Sequence, residues 1–272
     1  MTQFKALANV LSIAGSDPSG GAGIQADLKT FAALGCYGMA AISALTVQNT
    51  NGVLAMQLVA PELLAAQVDA VFADIRVDAV KIGMLGAPAS VMAVAAVLRR
   101  WQPRIIVLDP VLAATRGAAL GSDGLAEALV THLFPLATLV TPNLPEARVL
   151  AGRDGTAAQL AQTLRAQGAG AVLVKGGHAE AAEACDYLMD GDGEASFCLP
   201  WLNTANNHGT GCTLASAIAA GLASGLQLRP SIGLAKQNLH AALAAGDALQ
   251  VGSGHGHGPV NHFAMMRLAQ AG

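Results

Sequence analysis

Residues 206–216 read NNHGTGCTLAS. Gly209 and Gly211 flank Thr210, Cys212 follows, and the Ala-rich apolar run beyond it has helical composition. The mouth of such a helix presents unpaired backbone N–H groups at Gly209, Thr210, Gly211 and Cys212, and the glycines let an anion approach them closely. The helix dipole favours negative charge there, so the turn suits a transferring phosphoryl group. The same field would lower the Cys212 thiol pKa, making it a base or hydrogen-bond partner. The alternative for Cys212 is a small buried hydrophobe.

Four further stretches carry chemistry. AGSDPSGGAGIQADLK (14–29) is a Gly-rich strand-to-helix turn, but the chain contains no G-x-x-x-x-G-K-[ST] and this turn is not a G-x-G-x-x-G fingerprint. A dinucleotide fold also wants an acidic residue where the second strand instead ends in Gln48, which weakens an oxidoreductase reading. Asp27, just inside the following helix, could reach back over the turn toward a ligand. The Gln48 amide, donor and acceptor together, suits a heterocycle edge carrying a ring nitrogen beside an amino group; otherwise it is a surface turn residue. In VLDPV (107–111), Asp109 ends a very apolar strand, where an acid needs a partner.

TPNLPEA (141–147) sets Asn143 and Glu146 three apart on one face of a helix start. With Asp109 they could anchor hydrated magnesium, which takes few direct carboxylates; the alternative for Asn143 is simple N-capping. In VLVKGGH (172–178), Lys175 ends another strand. It either holds a phosphate as a point charge or snorkels to solvent.

What positions these residues is an alternation of short apolar strands with amphipathic helices. Strands are expected at 9–15, 37–48, 77–85, 104–111, 137–143 and 171–177. Helices are expected at 22–35, 61–75, 88–101, 122–134 with Ser122 as N-cap, and 156–168, then two Ala-rich helices near 209–223 and 230–249. Residues 185–201 read as a hairpin around DGDG. Nearly continuous apolar strands between helices mean a largely parallel sheet covered on both faces, a three-layer α/β/α sandwich. No repeat or linker interrupts it, so residues 1–272 are read as one domain. Ligands in such folds bind beyond the carboxyl ends of the strands, where Gly15–Gly23, Gln48, Met84, Asp109, 143–146, 175–178 and 206–212 should converge.

Composition excludes several classes. The chain is 53% hydrophobic and 12% charged with net charge −3, which leaves no basic footprint for nucleic acid. No uninterrupted run of about 20 apolar residues offers a membrane span, and the N-terminus lacks a secretory pattern. Cysteines 36, 185, 198 and 212 form no C-x-x-C or zinc spacing, and are expected to be reduced thiols in a cytoplasmic protein.

With these residues assembled, the chain resembles the hydroxymethylpyrimidine/phosphomethylpyrimidine kinases of thiamine biosynthesis, in the ribokinase-like superfamily. The resemblance runs from IAGSDPSGGAGIQADLKTF, through DPV, TPNLPEA, VKGGH and NHGTGCTLASAIAAGLASG, to the GHGPVNHF that ends at residue 263. It implies transfer of the ATP γ-phosphate to a pyrimidine hydroxymethyl group, then a second transfer giving the pyrophosphate ester. By position it implies that Gly15, Asp27, Gln48 and Met84 line the pyrimidine pocket with Val111 close by. It implies that Asp109 and Glu146 organise Mg2+, that Lys175 and Asn143 serve ATP, and that Gly209–Cys212 form the anion hole. Sugar kinases of the superfamily mostly carry an Asp as base where this chain has Cys212. Thr115 and Arg116 stand where a Lys or Thr followed by Ser is expected. The expected partner is a small pyrimidine, with no nucleic acid or membrane, in a homodimer. Two alternatives stay open: a pyridoxal or pyridoxine kinase, and a non-catalytic pyrimidine sensor.

Overall fold

The computed structural model describes residues 6–112, 122–176, 182–252 and 256–266. Its strands are β1 (Asn9–Ser16), β2 (Tyr37–Asn49), β3 (Gly52–Leu58), β4 (Ala79–Ile82), β5 (Ile106–Leu108), β6 (Leu139–Val140), β7 (Val172–Val174), β8 (Glu183–Asp190) and β9 (Gly193–Pro200). They form one nine-stranded sheet in the order β3-β2-β1-β4-β5-β6-β7-β8-β9. From β2 to β7 the neighbours are parallel, and the antiparallel pairs lie at the two margins.

Side chains alternate across the central strands, as the pleat requires. Leu11, Ile13, Val80, Ile82, Ile106, Leu108, Val140, Val172 and Val174 face one core. That core is covered by α2 (Pro61–Asp74), α3 (Pro88–Trp101), α4 (Leu125–His132), α5 (Leu144–Ala151) and α6 (Ala157–Ala166). Val10, Ala79, Val107, Leu139 and Leu173 face the other, under α1 (Gly23–Ala33), α7 (Thr210–Ala223) and α8 (Leu228–Ala244). Strands buried on both sides need no polar alternation, which is why they read as solid apolar runs.

Two positions break that rule. Ser12 and Lys81, paired in register on β1 and β4, occupy the α1/α7 side and are fully buried. Lys81 meets Asp27 of α1 at 2.9 Å to both carboxylate oxygens. Ser12 and Ser216 donate to the same carboxylate at 2.6 and 2.7 Å.

The structure corrects the sequence reading at three places. Residues 52–58 form an additional strand, β3, antiparallel to β2 across the NTNG turn. The N-cap of α4 is Gly124 at φ +77, while the Ser122 N–H donates to Gly86. Cys185 and Cys198 are not free thiols: β8 and β9 place them opposite each other, Cα–Cα 4.1 Å, in a disulfide. Cys36 and Cys212 are free. Among the described residues no helix is long and apolar enough to cross a membrane.

Candidate active site

A cavity of about 800 Å3 opens at the carboxyl ends of the parallel strands. The chain runs from β1 to β2 on one side and continues from β4 on the other, so a crevice forms between β1 and β4. Gly15 is the next-to-last residue of β1 there and Met84 follows β4. A side chain at Gly15 would collide with the Met84 methyl, so glycine makes room for the thioether. Gln48, near the end of β2, and Val111, after β5, line the same end of the cavity.

The middle of the cavity is polar. Asp109 follows β5 and Lys175 follows β7, with Lys175 Nζ 2.6 Å from Asp109 Oδ1. Thr141 adds a longer hydroxyl contact to the same oxygen at 3.3 Å. Burial alone would lower the Lys175 ammonium pKa, but Asp109 and then Glu146 hold it above its usual value. Glu146 sits beside them at the start of α5. Burial raises its carboxyl pKa first, the Lys175 charge opposes that, and the neighbouring Asp109 adds to the rise.

Asn143 and Glu146 also cap α5 reciprocally. Glu146 N–H donates to Asn143 Oδ1 at 2.8 Å, and Asn143 N–H donates to Glu146 Oε2 at 2.9 Å. The capping alternative for Asn143 therefore holds, and the cap fixes Glu146 beside Asp109. Two carboxylates against one ammonium leave an uncompensated acidic charge in a partly dry site. An all-oxygen set with surplus negative charge fits a hard divalent cation.

The α7 N-terminus opens onto this cluster. A Cβ built on Gly211 would stand 3.2 Å from Lys175 Nζ and 3.5 Å from Asp109 Oδ2. Gly209, at φ +83, caps α7, and any side chain there would strike the Gly21 carbonyl. The loops 17–23 and 206–212 are thus packed backbone to backbone, which only glycine permits.

Cys212 lines the cavity, but its thiol departs from expectation. Burial pushes it up to about 11; Lys81 pulls the other way, while Asp27 and Asp109 add to the rise. The helix mouth does not make this cysteine a thiolate at neutral pH. Asp27 is the second correction. It is fully buried, saturated by Lys81, Ser12 and Ser216, and absent from the cavity lining. Its helix turns it inward, away from the pyrimidine end.

The far end of the cavity is lined by Ala184, Leu199, Pro200, Trp201, Leu202, Leu239 and Leu243, a slot between the β8–β9 hairpin and α8. At its polar edge Lys236 Nζ lies 2.7 Å from Asp186 Oδ2, and the Gly176 N–H donates to Asp186 Oδ1 at 3.0 Å. Burial raises the Asp186 carboxyl in spite of Lys236.

Asp186 and Lys236 went unmarked in the sequence, and Asp17 and His208 fell inside the 15–23 and 206–212 stretches without a role of their own. Lys236 had a signal, a lone charge in an apolar helix, and His208 had one in its place directly before Gly209. Thr115, Arg116 and His178 lie outside the described residues.

The sequence model of the phosphomethylpyrimidine kinase family matches residues 17–261 of the chain. The chain is 51% identical over 258 residues to the hydroxymethylpyrimidine/phosphomethylpyrimidine kinase of Rhizobium meliloti, covering 93% of this chain and 96% of the relative. Among solved structures it is similar to an ADP complex of Bacillus subtilis pyridoxal kinase, with TM-score 0.86 and 33% identity over 97% of this chain and 100% of that one. It is also similar to the phosphomethylpyrimidine kinase of Clostridium difficile, with TM-score 0.76 and 37% identity over 89% of this chain and 99% of that one.

Proposed function

The chain belongs to the phosphomethylpyrimidine kinase family, and from that membership we propose that it phosphorylates 4-amino-5-hydroxymethyl-2-methylpyrimidine with ATP. A second transfer, to the monophosphate, gives the pyrophosphate ester for thiamine biosynthesis. One observation carries the reading: a single cavity holds an amide-bearing end at Gln48, a phosphoryl-type centre at the α7 mouth, and an apolar slot at the hairpin end.

In this reading Gln48, Gly15, Met84 and Val111 hold the pyrimidine with its hydroxymethyl group toward Cys212. The adenine lies in the slot of Leu199, Leu239 and Leu243. Lys175 holds the transferring phosphoryl group by charge. The N–H groups of Gly209, Gly211 and Cys212 take up the negative charge that builds on it; the Thr210 N–H, expected among them, is turned instead to the Asn207 carbonyl at 3.3 Å. Asp109 and Glu146, with Asn143 fixing the latter, would hold Mg2+. That ion, when bound, neutralises phosphate charge during the transfer. Cys212 accepts the proton of the attacking alcohol, and does so only as the thiolate. The second nucleophile, a phosphate oxygen, is already anionic and needs no base.

Steady-state rates with the aminopyrimidine alcohol and with pyridoxal test the assignment. The pyridoxal kinase likeness makes pyridoxal the second candidate. kcat/KM should favour the pyrimidine, and a preference for pyridoxal would overturn the assignment. The proposal includes a cytoplasmic homodimer. Leu45, Val47 and Leu54, exposed on the β2–β3 ribbon, are apolar side chains a second copy would cover, and a monomer in sedimentation velocity would remove that part.

A further inference from the structure

Four polar contacts run in a chain through Gln48, from Asp17 to Ser16, and one assignment of hydrogens is consistent with all of them. His208 Nε2 lies 2.8 Å from Asp17 Oδ2 and 3.3 Å from the atom placed as the Gln48 amide nitrogen. Thr46 Oγ1 lies 2.8 Å from the Ser16 carbonyl and 3.3 Å from the atom placed as the Gln48 amide oxygen.

Asp17 also accepts from Ser19 N–H and its hydroxyl, and from the N–H groups of Gly21 and Ala22. Burial would raise its carboxyl, but His208 and these donors hold it below its usual value. Asp17 is therefore a carboxylate, and the hydrogen it shares with His208 sits on Nε2. A protonated Nε2 cannot accept from an amide NH2. The single Thr46 hydroxyl proton is committed to Ser16, so Thr46 can only accept from Gln48. Amide oxygen and nitrogen have the same shape, and their assignment rests on such networks. The consistent arrangement turns the amide over: its nitrogen donates to Thr46, and its oxygen takes the long branch, 3.3 Å, of a bifurcated Nε2–H bond whose short branch goes to Asp17.

We infer that Asp17 and His208 are positioning residues that set the Gln48 amide, and thereby select a 4-aminopyrimidine over its 4-oxo analogue. With one amide N–H on Thr46 and one oxygen lone pair on His208, the remaining N–H and lone pair stand side by side. With the hydroxymethyl group toward Cys212, the amino group beside it lies on the α7 side of the ring, so the lone pair on the His208 side meets the amino group and the N–H on the Thr46 side meets the bare ring nitrogen. The opposite orientation would match a ring N–H next to a carbonyl. The pair is well placed to be rigid: Asp17 and His208 side chains are 3% and 12% exposed, and the His208 ring rests on Gly21, where a side chain would strike it. Asp17 comes from the turn after β1 and His208 from the turn before α7, so the contact also ties the two glycine-rich loops together.

The inference rests on the reading that Gln48 faces the pyrimidine, and the test separates the two. Wild type should phosphorylate the 4-amino alcohol and prefer it to the 4-oxo alcohol. Absence of pyrimidine kinase activity would overturn both claims together. His208→Phe keeps a ring but removes the donor. Its preference for amino over oxo should fall about tenfold or more, since one hydrogen bond is worth about 1.4 kcal/mol at that ratio, while the KM for ATP stays near wild type. His208→Gln restores an N–H and should restore the preference. Equal losses on both pyrimidines, with the ratio unchanged, would reduce the pair to a loop tie and overturn the inference. If His208→Phe fails to fold, 15N spectra of the wild-type histidines decide: a proton on His208 Nε2 supports the arrangement, and a bare Nε2 overturns it.

Discussion

Two of the lysine–aspartate pairs packed against this sheet do different work. Lys81 and Asp27 meet at 2.9 Å with both side chains fully buried. Both oxygens of Asp27 are taken, by Lys81, Ser12 and Ser216. Lys175 and Asp109 meet at 2.6 Å, but the lysine side chain is 14% exposed, and Asp109 Oδ2 is turned toward Gly211 at the α7 mouth. Glu146 adds a second acid to the open pair and none is added to the closed one. Burial alone would push the Lys81 ammonium down, yet Asp27, with Cys212 and Asp109 beyond it, holds it well above its usual range. The difference between the pairs is spare bonding capacity. A saturated ion pair holds α1, α7 and β4 in place; an unsaturated one is available to a ligand.

Substitution in each pair should therefore fail differently. Asp109→Asn keeps the shape and removes the charge, so kcat should drop about 10²–10³-fold while the melting temperature moves little. Wild-type turnover at limiting magnesium in this variant would erase the distinction. Lys81→Met strands the Asp27 carboxylate in the core, and should cost about 3–5 kcal/mol of stability, read from urea unfolding. On the monophosphate, which needs no base, the folded fraction should keep far more activity than Asp109→Asn; on the alcohol it should slow, because Lys81 no longer draws the Cys212 thiol down. A stable but inactive Lys81→Met would move the closed pair into the chemistry.

Cys212 stands between the pairs and feels both. With its thiol raised to about 11, a thiolate base is scarce at neutral pH. For the alcohol substrate, kcat/KM should climb about tenfold per pH unit from 7 to 9, as the thiolate fraction does. For the monophosphate it should not. Cys212→Ala should abolish that slope, and a flat wild-type profile would leave Cys212 as a hydrogen-bond partner.

Glu146 gives the smallest effect and the sharpest sign. Burial and Asp109 raise its folded-state pKa, so the native state holds that proton longer than the unfolded chain. Stability is then lost as pH climbs from the ordinary carboxylate range through the raised value, and the deficit persists above it. Glu146→Gln keeps an acceptor for the Asn143 N–H. In the absence of magnesium it should be more stable than wild type at pH 7 and equal to it in acid, by thermal unfolding. Lower stability at pH 7 would mean Glu146 is not strained by Asp109.

Much of this was legible in the sequence because strand ends report themselves. Apolar runs stopping at Gln48, Asp109 and Lys175 mark the carboxyl edge of a parallel sheet, and NHGTGC marks the helix that meets it. Asp27 was misread because nearness to a turn does not say which side of α1 the carboxylate takes. The missing clue was Lys81, a lone charge inside AVKIGML that had to find a buried acid. β3 was overlooked because it pairs only through the hairpin turn, and the Cys185–Cys198 bond because it depends on hairpin register. The raised Cys212 thiol could not be read at all. It depends on burial and on Lys81, Asp27 and Asp109, which come from three other parts of the chain.

The most direct test of the account follows ATP and 4-amino-5-hydroxymethyl-2-methylpyrimidine with the wild-type enzyme and magnesium by 31P NMR. The account predicts a monophosphate ester with one equivalent of ADP, then a pyrophosphate ester with a second. ATP left intact, or ADP formed without either ester, would contradict it.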